Sequence, residues 1–133
     1  MFTNAEYDYL SAHSLGRLAS IGPNGSPEVH PVTFSVDPRS GVVEIGGPRL
    51  RDTHKYRNIR RDPRVSLIVD DQAPEPVGPD GTRSRGIEIR GTAELSERSP
   101  AVTGTDTDII RIRPALIDSW NLDGSGHHRR FVN

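Results

Sequence analysis

The chain has 133 residues, a formal net charge of −1 and no cysteine. The missing cysteines exclude disulfides, thiolate metal sites and cysteine nucleophiles, and the balanced charge gives no general attraction to nucleic acid or to a membrane surface. A hydrophobic fraction of 32% with one Trp, three Tyr and three Phe makes a thin core for a single domain over residues 1–133, which favours further burial against a second copy in a homodimer.

The first half of the chain predicts a helix followed by a three-stranded meander. Residues 1–6 lack the basic and apolar regions of a signal peptide, and Thr3 and Glu6 instead form a capping box for a helix over residues 4–12. Turn signals, the strongest at Asn24-Gly25, separate segments of alternating apolar residues. The predicted strands cover residues 15–21, 28–36 and 42–47.

The second half predicts a second helix, further strands and three irregular segments. A helix over residues 50–61 ends at Asp62-Pro63, and the apolar run 65–69 is typical of a buried strand. The later strand candidates are 86–95, 109–113 and, as strand or turn, 115–120. The irregular segments are two loops, 71–84 and 96–108, and a polar tail, 123–133. About six strands and two helices, with no apolar run near the roughly 18–20 residues of a membrane span, predict a soluble cytoplasmic antiparallel β-barrel with helices outside.

The helix over residues 50–61 is the strongest candidate for a binding site. Lys55 is the only lysine beside 16 arginines, and residues 51–64 hold five Arg, one Lys and one His against two Asp, a local charge near +4. Unpaired N–H groups at the helix start, with the Thr53 hydroxyl and the long Lys55 side chain, suit an anion such as a phosphate. A solvated basic helix face explains the same pattern, and both interpretations stay open at this point.

Other candidates carry weaker signals. His30 lies within a predicted strand, where a polar core contact is its usual role, and the neighbouring Pro31 leaves a gap in the strand ladder that frees backbone groups. Trp120 suits either a core or a ring-shielding position. His127 and His128 have no third ligand at metal-binding spacing, so we predict no metal site. No nucleophile elbow, P-loop or Rossmann fingerprint is present, so we predict no hydrolytic apparatus.

Several segments together resemble the pyridoxamine-phosphate-oxidase-like split-barrel oxidoreductases. The matching segments are Leu15-Gly16-Arg17-Leu18-Ala19, Pro31-Val32-Thr33-Phe34, Ile45-Gly46-Gly47, residues 53–65, residues 85–93 and residues 112–120. Within that superfamily the chain is most similar to the actinobacterial branch that uses coenzyme F-420, an 8-hydroxy-5-deazaflavin. The resemblance implies an FMN-binding-like, six-stranded antiparallel split β-barrel that forms a homodimer with the cofactor at its interface.

The resemblance also implies the residues that bind the cofactor. Thr53, His54 and Lys55 would meet its phosphate, while Arg51, Arg57 and Asn58 would support that site or the acidic tail. His30, Pro31, Val32 and Thr33 would lie along the deazaflavin ring, Gly46 and Gly47 would allow its close approach, and Trp120 would reach it from the partner subunit. Thr33 and Asn121 stand where family members often have Gly, and the added bulk near the ring would either reshape the substrate pocket or weaken cofactor binding.

The implied reaction is hydride transfer from the reduced deazaflavin to a conjugated C=C bond of a small molecule. The cofactor carries this chemistry, so no obligatory catalytic side chain is named; the product could take its proton from solvent, with His30 as a candidate donor. Dehydrotetracycline-type polyketides, tetrapyrroles and unsaturated lactones are the substrate classes that the resemblance suggests. Two alternatives remain open: an FMN-dependent oxidoreductase of the same fold, and a flavin, deazaflavin or haem-type ligand carrier without turnover.

Overall fold

The computed structural model describes residues 1–98, 107–124 and 126–132. Two helices flank one antiparallel sheet. The helices are α1 (Asn4–Ser11) and α2 (His54–Arg61), with a 3₁₀ turn at Leu50–Asp52 just before α2. The strands are β1 (Leu15–Ile21), β2 (Pro27–Val36), β3 (Val43–Ile45), β4 (Arg64–Gln72), β5 (Ser84–Glu97), β6 (Asp108–Trp120) and β7 (His127–Phe131).

Six of these strands close into a barrel. The sheet order is β3-β2-β1-β4-β5-β6-β7, and an additional pairing of β3 with β6 joins the two ends of the six-stranded part. β7 pairs only with β6 and lies outside the closed barrel. The structure therefore confirms the predicted six-stranded antiparallel β-barrel with two flanking helices, and adds a seventh strand that the sequence did not predict.

The core is built by the alternating inward side chains of the strands. Leu18, Leu67, Ile89 and Ile110 come from four different strands and are fully buried. Because successive side chains of a strand point to opposite faces, the residues between them form the outer surface of the barrel. Tyr56 and Ile59 of α2 are also buried in this core cluster. Their burial fixes α2 against β1 and β5 and so positions the start of the helix.

Several predicted boundaries differ from the structure. The helix expected over residues 50–61 is broken at Thr53 into the 3₁₀ turn and α2, because Thr53 is extended (φ −85°, ψ 153°). β4 and β5 extend into the expected loop 71–84, and β5 ends at Glu97 inside the expected loop 96–108, of which residues 99–106 lie outside the described part of the chain. The expected polar tail 123–133 contains β7, since its backbone pairs with β6 along residues 116–120.

β6 is one long strand rather than two short segments. The β5–β6 register shifts between Arg90, which faces Leu116, and Gly91, which faces Pro114, so Ala115 is an extra residue. Such a bulge inserts a residue without ending the strand and bends it locally. The carbonyl of Ala115 instead accepts a hydrogen bond from the Val132 N–H at 2.8 Å. In the described part of the chain, no helix has the length and apolar character needed to cross a membrane.

Candidate cofactor and substrate site

Thr53 starts α2 by using its own hydroxyl as the cap. Its Oγ1 accepts a hydrogen bond from the Tyr56 N–H at 3.3 Å and donates one to the Leu50 carbonyl at 2.6 Å. The first backbone hydrogen bond of the helix runs from the Arg57 N–H to the Thr53 carbonyl at 3.3 Å. The N–H groups of His54 and Lys55 precede that bond and belong to the unpaired donors of a helix start. An anion bound at this end would therefore accept hydrogen bonds from backbone N–H groups, because the Thr53 hydroxyl already forms two hydrogen bonds within the chain.

Lys55 is a partly buried cation at this helix start. Burial lowers the pKa of Lys55 below its ordinary value, and no acidic group contributes to the shift. Within the described residues it forms no ion pair or hydrogen bond. An ammonium group that is partly removed from water and has no anionic neighbour is stabilised when an anion binds beside it. This environment is consistent with the predicted phosphate contact.

Three residues near Lys55 that were predicted to support cofactor binding instead form hydrogen bonds within the protein. Arg51 donates to Asp108 at 2.8 Å and to Glu97 at 3.1 Å, which raises the pKa of Arg51. Arg57 folds back and donates to the Asp52 carbonyl at 2.6 Å. Asn58 is buried, where it donates to Ser20 at 3.0 Å and to Glu28 at 2.9 Å and accepts from Arg61 at 2.7 Å. The structure thus gives Arg51, Arg57 and Asn58 contacts within the protein, whereas Lys55 has no partner among the described residues.

His30 and His54 form a parallel pair between β2 and the start of α2. Their ring centroids are 6.4 Å apart and their planes differ by 8°. The Nδ1 of His30 is buried and has no hydrogen-bond partner among the described residues. Buried polar atoms normally find a partner, and the exceptions deserve a functional explanation. The structure brings these two predicted residues together beside the helix start.

The residues of β2 that were predicted to contact the cofactor ring lie on two opposite faces of the strand. Val32 is buried in the core, whereas Pro31 and Thr33 are exposed on the outer face of the barrel. Thr33, Gly46 and Gly47 line one open pocket of about 470 Å³. Pro31 lines a separate pocket of about 420 Å³ beside His13 and Arg17. A ring on the outer face can contact Pro31 and Thr33, but Val32 can support it only from beneath.

Trp120 lies on the outer face of the barrel over Gly86. A Cβ built on Gly86 would lie 2.4 Å from the Trp120 ring and 2.8 Å from Asp70 Cβ, so the indole packs directly on the glycine backbone. Its Nε1 donates to the Ser84 hydroxyl at 3.2 Å. Contacts within its own protomer therefore fix this side chain, and its predicted reach into a partner's site stays a prediction.

Asn121 has a different role from the expected one in the substrate pocket. It adopts the left-handed backbone conformation (φ 58°) directly after β6, is buried, and donates to the Ser84 carbonyl at 2.8 Å. Gly and Asn are the residues that adopt this conformation most readily. The family's frequent Gly and this chain's Asn thus satisfy the same turn requirement.

Sequence reasoning missed a charged cluster beside Gly46 and Gly47. Arg98 lies 3.7 Å and Arg111 3.8 Å from the carboxylate of Glu44, and both Arg98 and Glu44 line the pocket of about 470 Å³. The alternation of Arg111 with buried isoleucines in β6 was the available signal that it faces outward. Nothing local in the sequence indicated that residues 44, 98 and 111 meet.

The comparisons with known proteins agree with this fold. The sequence profile of the pyridoxamine 5'-phosphate oxidase family matches residues 2–121. The chain belongs to this family. The 5a,11a-dehydrotetracycline/5a,11a-dehydrooxytetracycline reductase of Streptomyces rimosus subsp. rimosus is 36% identical over 142 residues, which cover 98% of this chain and 93% of that protein.

Solved structures share the same fold. A conserved hypothetical protein, Rv2991 of Mycobacterium tuberculosis, superposes with a TM-score of 0.71 at 24% identity and covers 93% of this chain and 88% of that one. A protein named F420 Reductase superposes with a TM-score of 0.60 at 25% identity, covering 88% of this chain and 98% of that one. Two of the three relatives are named reductases, which supports an oxidoreductase within this family.

Proposed function

We propose that the chain is a coenzyme F-420-dependent reductase that transfers hydride from the reduced deazaflavin to a conjugated C=C bond of a small molecule. The observation that carries the proposal is Lys55, a partly buried cation at the start of α2 with no anionic partner among the described residues. The names of the relative with 36% identity and of the F420 Reductase with 25% identity support the same class of reaction.

The residues present fit the phosphate and the ring of the cofactor. The Lys55 ammonium and the first N–H groups of α2 supply the donors that a phosphate needs. A Cβ built on Gly47 would meet nothing within 4 Å, and one on Gly46 would meet only Arg98 at 3.7 Å, so a flat ring can approach the backbone there. A side chain at Gly46 or Gly47 would occupy part of the space through which the ring approaches the backbone.

The mechanism divides between the cofactor and the protein. When bound, the deazaflavin supplies the hydride. Lys55 and the helix N–H groups hold the phosphate, while Pro31 and Thr33 orient the ring face, so that binding geometry rather than an obligatory side chain sets the rate. His30, the candidate proton donor, alternates with Pro31 and Thr33 along β2 and therefore lies on the opposite face from the proposed ring, beside His54, so the product would take its proton from solvent.

We propose a dehydrotetracycline-type polyketide as the substrate class. The proposal rests on the reductase from Streptomyces rimosus, whose alignment covers nearly all of both chains. The open pocket of about 470 Å³ beside Gly46 and Gly47 is large enough for a ring system of this kind.

We also propose that the protein acts as a homodimer through the outer face of β1 and β2. Leu15 is 68% exposed and Val29 is 61% exposed. The cross-strand register places Ala19 opposite Val29 and Arg17 opposite Pro31, so these side chains form one surface. Exposed apolar side chains grouped in this way, with the ion pair of Arg17 and Asp70 among them, are typical of a protein contact. Pro31 belongs to this surface, which supports a cofactor site at the interface.

Separate calorimetric titrations with coenzyme F-420 and FMN test the proposed function. Lys55→Ala is expected to weaken coenzyme F-420 binding by about 1–3 kcal/mol, since it removes a charge-assisted contact to the phosphate. Arg60→Ala is the matched control, because it removes one positive charge from the same helix, where Arg60 packs over the Tyr56 ring at 5.3 Å. Equal affinity of Lys55→Ala and the parent would refute the phosphate assignment.

The same titrations decide between coenzyme F-420 and FMN. The phosphate site fits either cofactor, and Arg51, which was predicted to support the phosphate or the acidic tail, is paired with Glu97 and Asp108 instead. Tighter binding of FMN than of coenzyme F-420 would assign an FMN-dependent oxidoreductase of the same fold.

A further inference from the structure

The cluster of Glu44, Arg98 and Arg111 lies on the outer face of the barrel. Glu44 of β3 faces Arg111 of β6 in the register that closes the barrel, and it faces Ser35 of β2 on its other side. Arg98 directly follows β5. The three side chains are 28%, 30% and 31% exposed for Glu44, Arg98 and Arg111, respectively. Each is therefore largely withdrawn from water while keeping a solvent-facing edge.

The two arginines are poorly paired. Their distances to Glu44, 3.7 Å for Arg98 and 3.8 Å for Arg111, exceed hydrogen-bond length. The Nε of Arg111 is buried and has no partner among the residues that the structure describes. By contrast, the cross-strand pair of Arg113 on β6 with Glu94 on β5 closes to 3.1 Å on the same sheet. A cross-strand ion pair on this barrel can therefore reach hydrogen-bond distance, whereas the two pairs at Glu44 do not.

The cluster opens toward the proposed ring site. Glu44 and Arg98 line the same pocket as Thr33, Gly46 and Gly47. Arg111 does not line the pocket itself but faces the lining residue Glu44 across the β3–β6 pairing, so two guanidinium groups against one carboxylate leave a net positive charge beside the pocket. Because the groups are only partly solvated, this charge attracts an anion more strongly than an exposed pair would.

We propose that Arg98 and Arg111 bind an anionic group of the substrate, and that Glu44 competes with this group for the two guanidiniums. The planar fork of arginine donors matches a planar group with two oxygens that share one negative charge. A carboxylate and an enolised 1,3-dicarbonyl both have this arrangement. The inference rests on the proposed function, because it treats the pocket beside Gly46 and Gly47 as the substrate site.

Calorimetric titrations with three probes test this site. Tetracycline, with a metal chelator present, supplies an enolised dicarbonyl; cinnamate supplies a conjugated carboxylate; and neutral cinnamamide is the matched control for charge. Preference for tetracycline over cinnamate assigns the enolate form of the group, and the reverse assigns the carboxylate. Cinnamate binding no tighter than cinnamamide, together with undetectable tetracycline binding, overturns the proposal.

Substitution of the arginines and substitution of Glu44 should change the affinity for the anionic probes in opposite directions. Arg111→Gln should weaken binding of the anionic probes about tenfold, while the nearly isosteric Glu44→Gln should tighten it about threefold by removing the competitor. If Arg111→Gln does not fold, Arg98→Gln tests the same expectation. Arg113→Gln is the control, because Arg113 is paired with Glu94 outside the pocket. Weaker or unchanged probe binding by Glu44→Gln would overturn the proposal, since an ion pair that only holds β3 to β6 predicts that result.

Cofactor titrations of the same variants separate this inference from the proposed function. Coenzyme F-420 should bind Arg111→Gln as it binds the parent. An equal loss of coenzyme F-420 and probe affinity would assign the cluster to the cofactor and overturn the substrate assignment. If the parent binds neither coenzyme F-420 nor FMN, the proposed function fails, while the probe titrations still decide whether the anion site exists.

Discussion

Thr53 illustrates how a residue can match a family motif and still contribute indirectly. Its hydroxyl donates to the Leu50 carbonyl and accepts from the Tyr56 N–H, so both capacities are used within the chain. Its effect on a bound phosphate is therefore to fix where α2 begins. That position determines which N–H groups are left unpaired and where Lys55 stands. The residue type was predictable from capping rules, but its committed hydrogen bonds were not.

Glu6 shows a second local pattern that acquires a long-range partner. The predicted capping box with Thr3 is present, and Arg130 of β7 also donates to both carboxylate oxygens of Glu6. Burial alone would raise the pKa of Glu6, but the hydrogen bonds from Arg130 and Thr3 outweigh burial and lower it below its ordinary value of 4.5. The ion pair joins α1 to the last strand.

Glu6→Gln is expected to lower the free energy of unfolding by about 1–3 kcal/mol at neutral pH, less than the loss of a fully buried pair because Arg130 keeps some exposure. Gln preserves the capping box, so the effect isolates the ion pair. Since the folded-state pKa of Glu6 is lowered, its contribution is complete above about pH 4.5 and is lost as the pH falls through the folded value. Urea denaturation of both proteins across this range measures it.

The parent and Glu6→Gln should therefore converge in stability on acidification. Glu94→Gln, which removes a carboxylate from an exposed pair with Arg113, serves as the control and should change stability little. A stability difference for Glu6→Gln that stays constant down to strongly acidic pH would contradict the assigned ion pair.

At the scale of elements, local patterns predicted most strands and both helices, and missed what depends on distant pairing. β1 was predicted with its observed ends, because its turn and alternation are local. β7 has a polar sequence with no period-2 apolar face, so only its pairing with β6 makes it a strand. The continuity of β6 through Pro114 likewise depends on the bulge opposite Gly91, which a single strand's sequence does not reveal.

The bulge gives an element-scale prediction. A Cβ on Gly91 would lie 2.0 Å from the carbonyl oxygen of Arg113, a backbone atom that cannot move without disturbing β6. Gly91→Ala is expected to destabilise the protein by about 2–3 kcal/mol or more, in the range of overpacked sites. Thermal unfolding monitored by circular dichroism measures the change.

Gly46→Ala is the matched control for this prediction. Its added Cβ would have Arg98 as its nearest neighbour at 3.7 Å, which is an ordinary contact. It should change stability by less than about 0.5 kcal/mol, as other surface substitutions do. Similar stability losses in the two variants would show that the bulge tolerates a side chain and contradict the packing argument.

At the scale of the whole molecule, the candidate site depends on contacts that no single segment of sequence encodes. The predicted residues at the start of α2 are neighbours in sequence, so one segment was enough to propose them together. Glu44, Arg98 and Arg111 come from three parts of the chain and meet only because β3 closes the barrel against β6. Closure therefore explains why the sequence could suggest the proposed phosphate residues as a group and could not reveal the charged cluster.

The proposed dimer gives the prediction at this scale. Val29→Arg places a charge within the exposed apolar surface of β1 and β2, next to Arg17 and Pro31, and should shift the protein toward a monomer because a desolvated, unpaired charge opposes association. It should also weaken coenzyme F-420 binding if the interface completes the site. Analytical ultracentrifugation reports the oligomeric state, and calorimetry the affinity.

Thr92→Arg, an exposed position on β5, is the control for charge and size and should leave both properties unchanged. If the parent itself sediments as a monomer over the micromolar range, the dimer proposal is wrong. If Val29→Arg remains dimeric, the interface lies on another face.

Trp120 can serve as an intrinsic fluorescence donor for distance measurements. It is the only tryptophan, and Ser84 and the Gly86 backbone hold it at one place on the barrel surface. All indole emission therefore originates from a single known point. Resonance energy transfer from this donor to a bound deazaflavin would measure the separation between the indole and the ring without any added label, and so locate the ring relative to the end of β6.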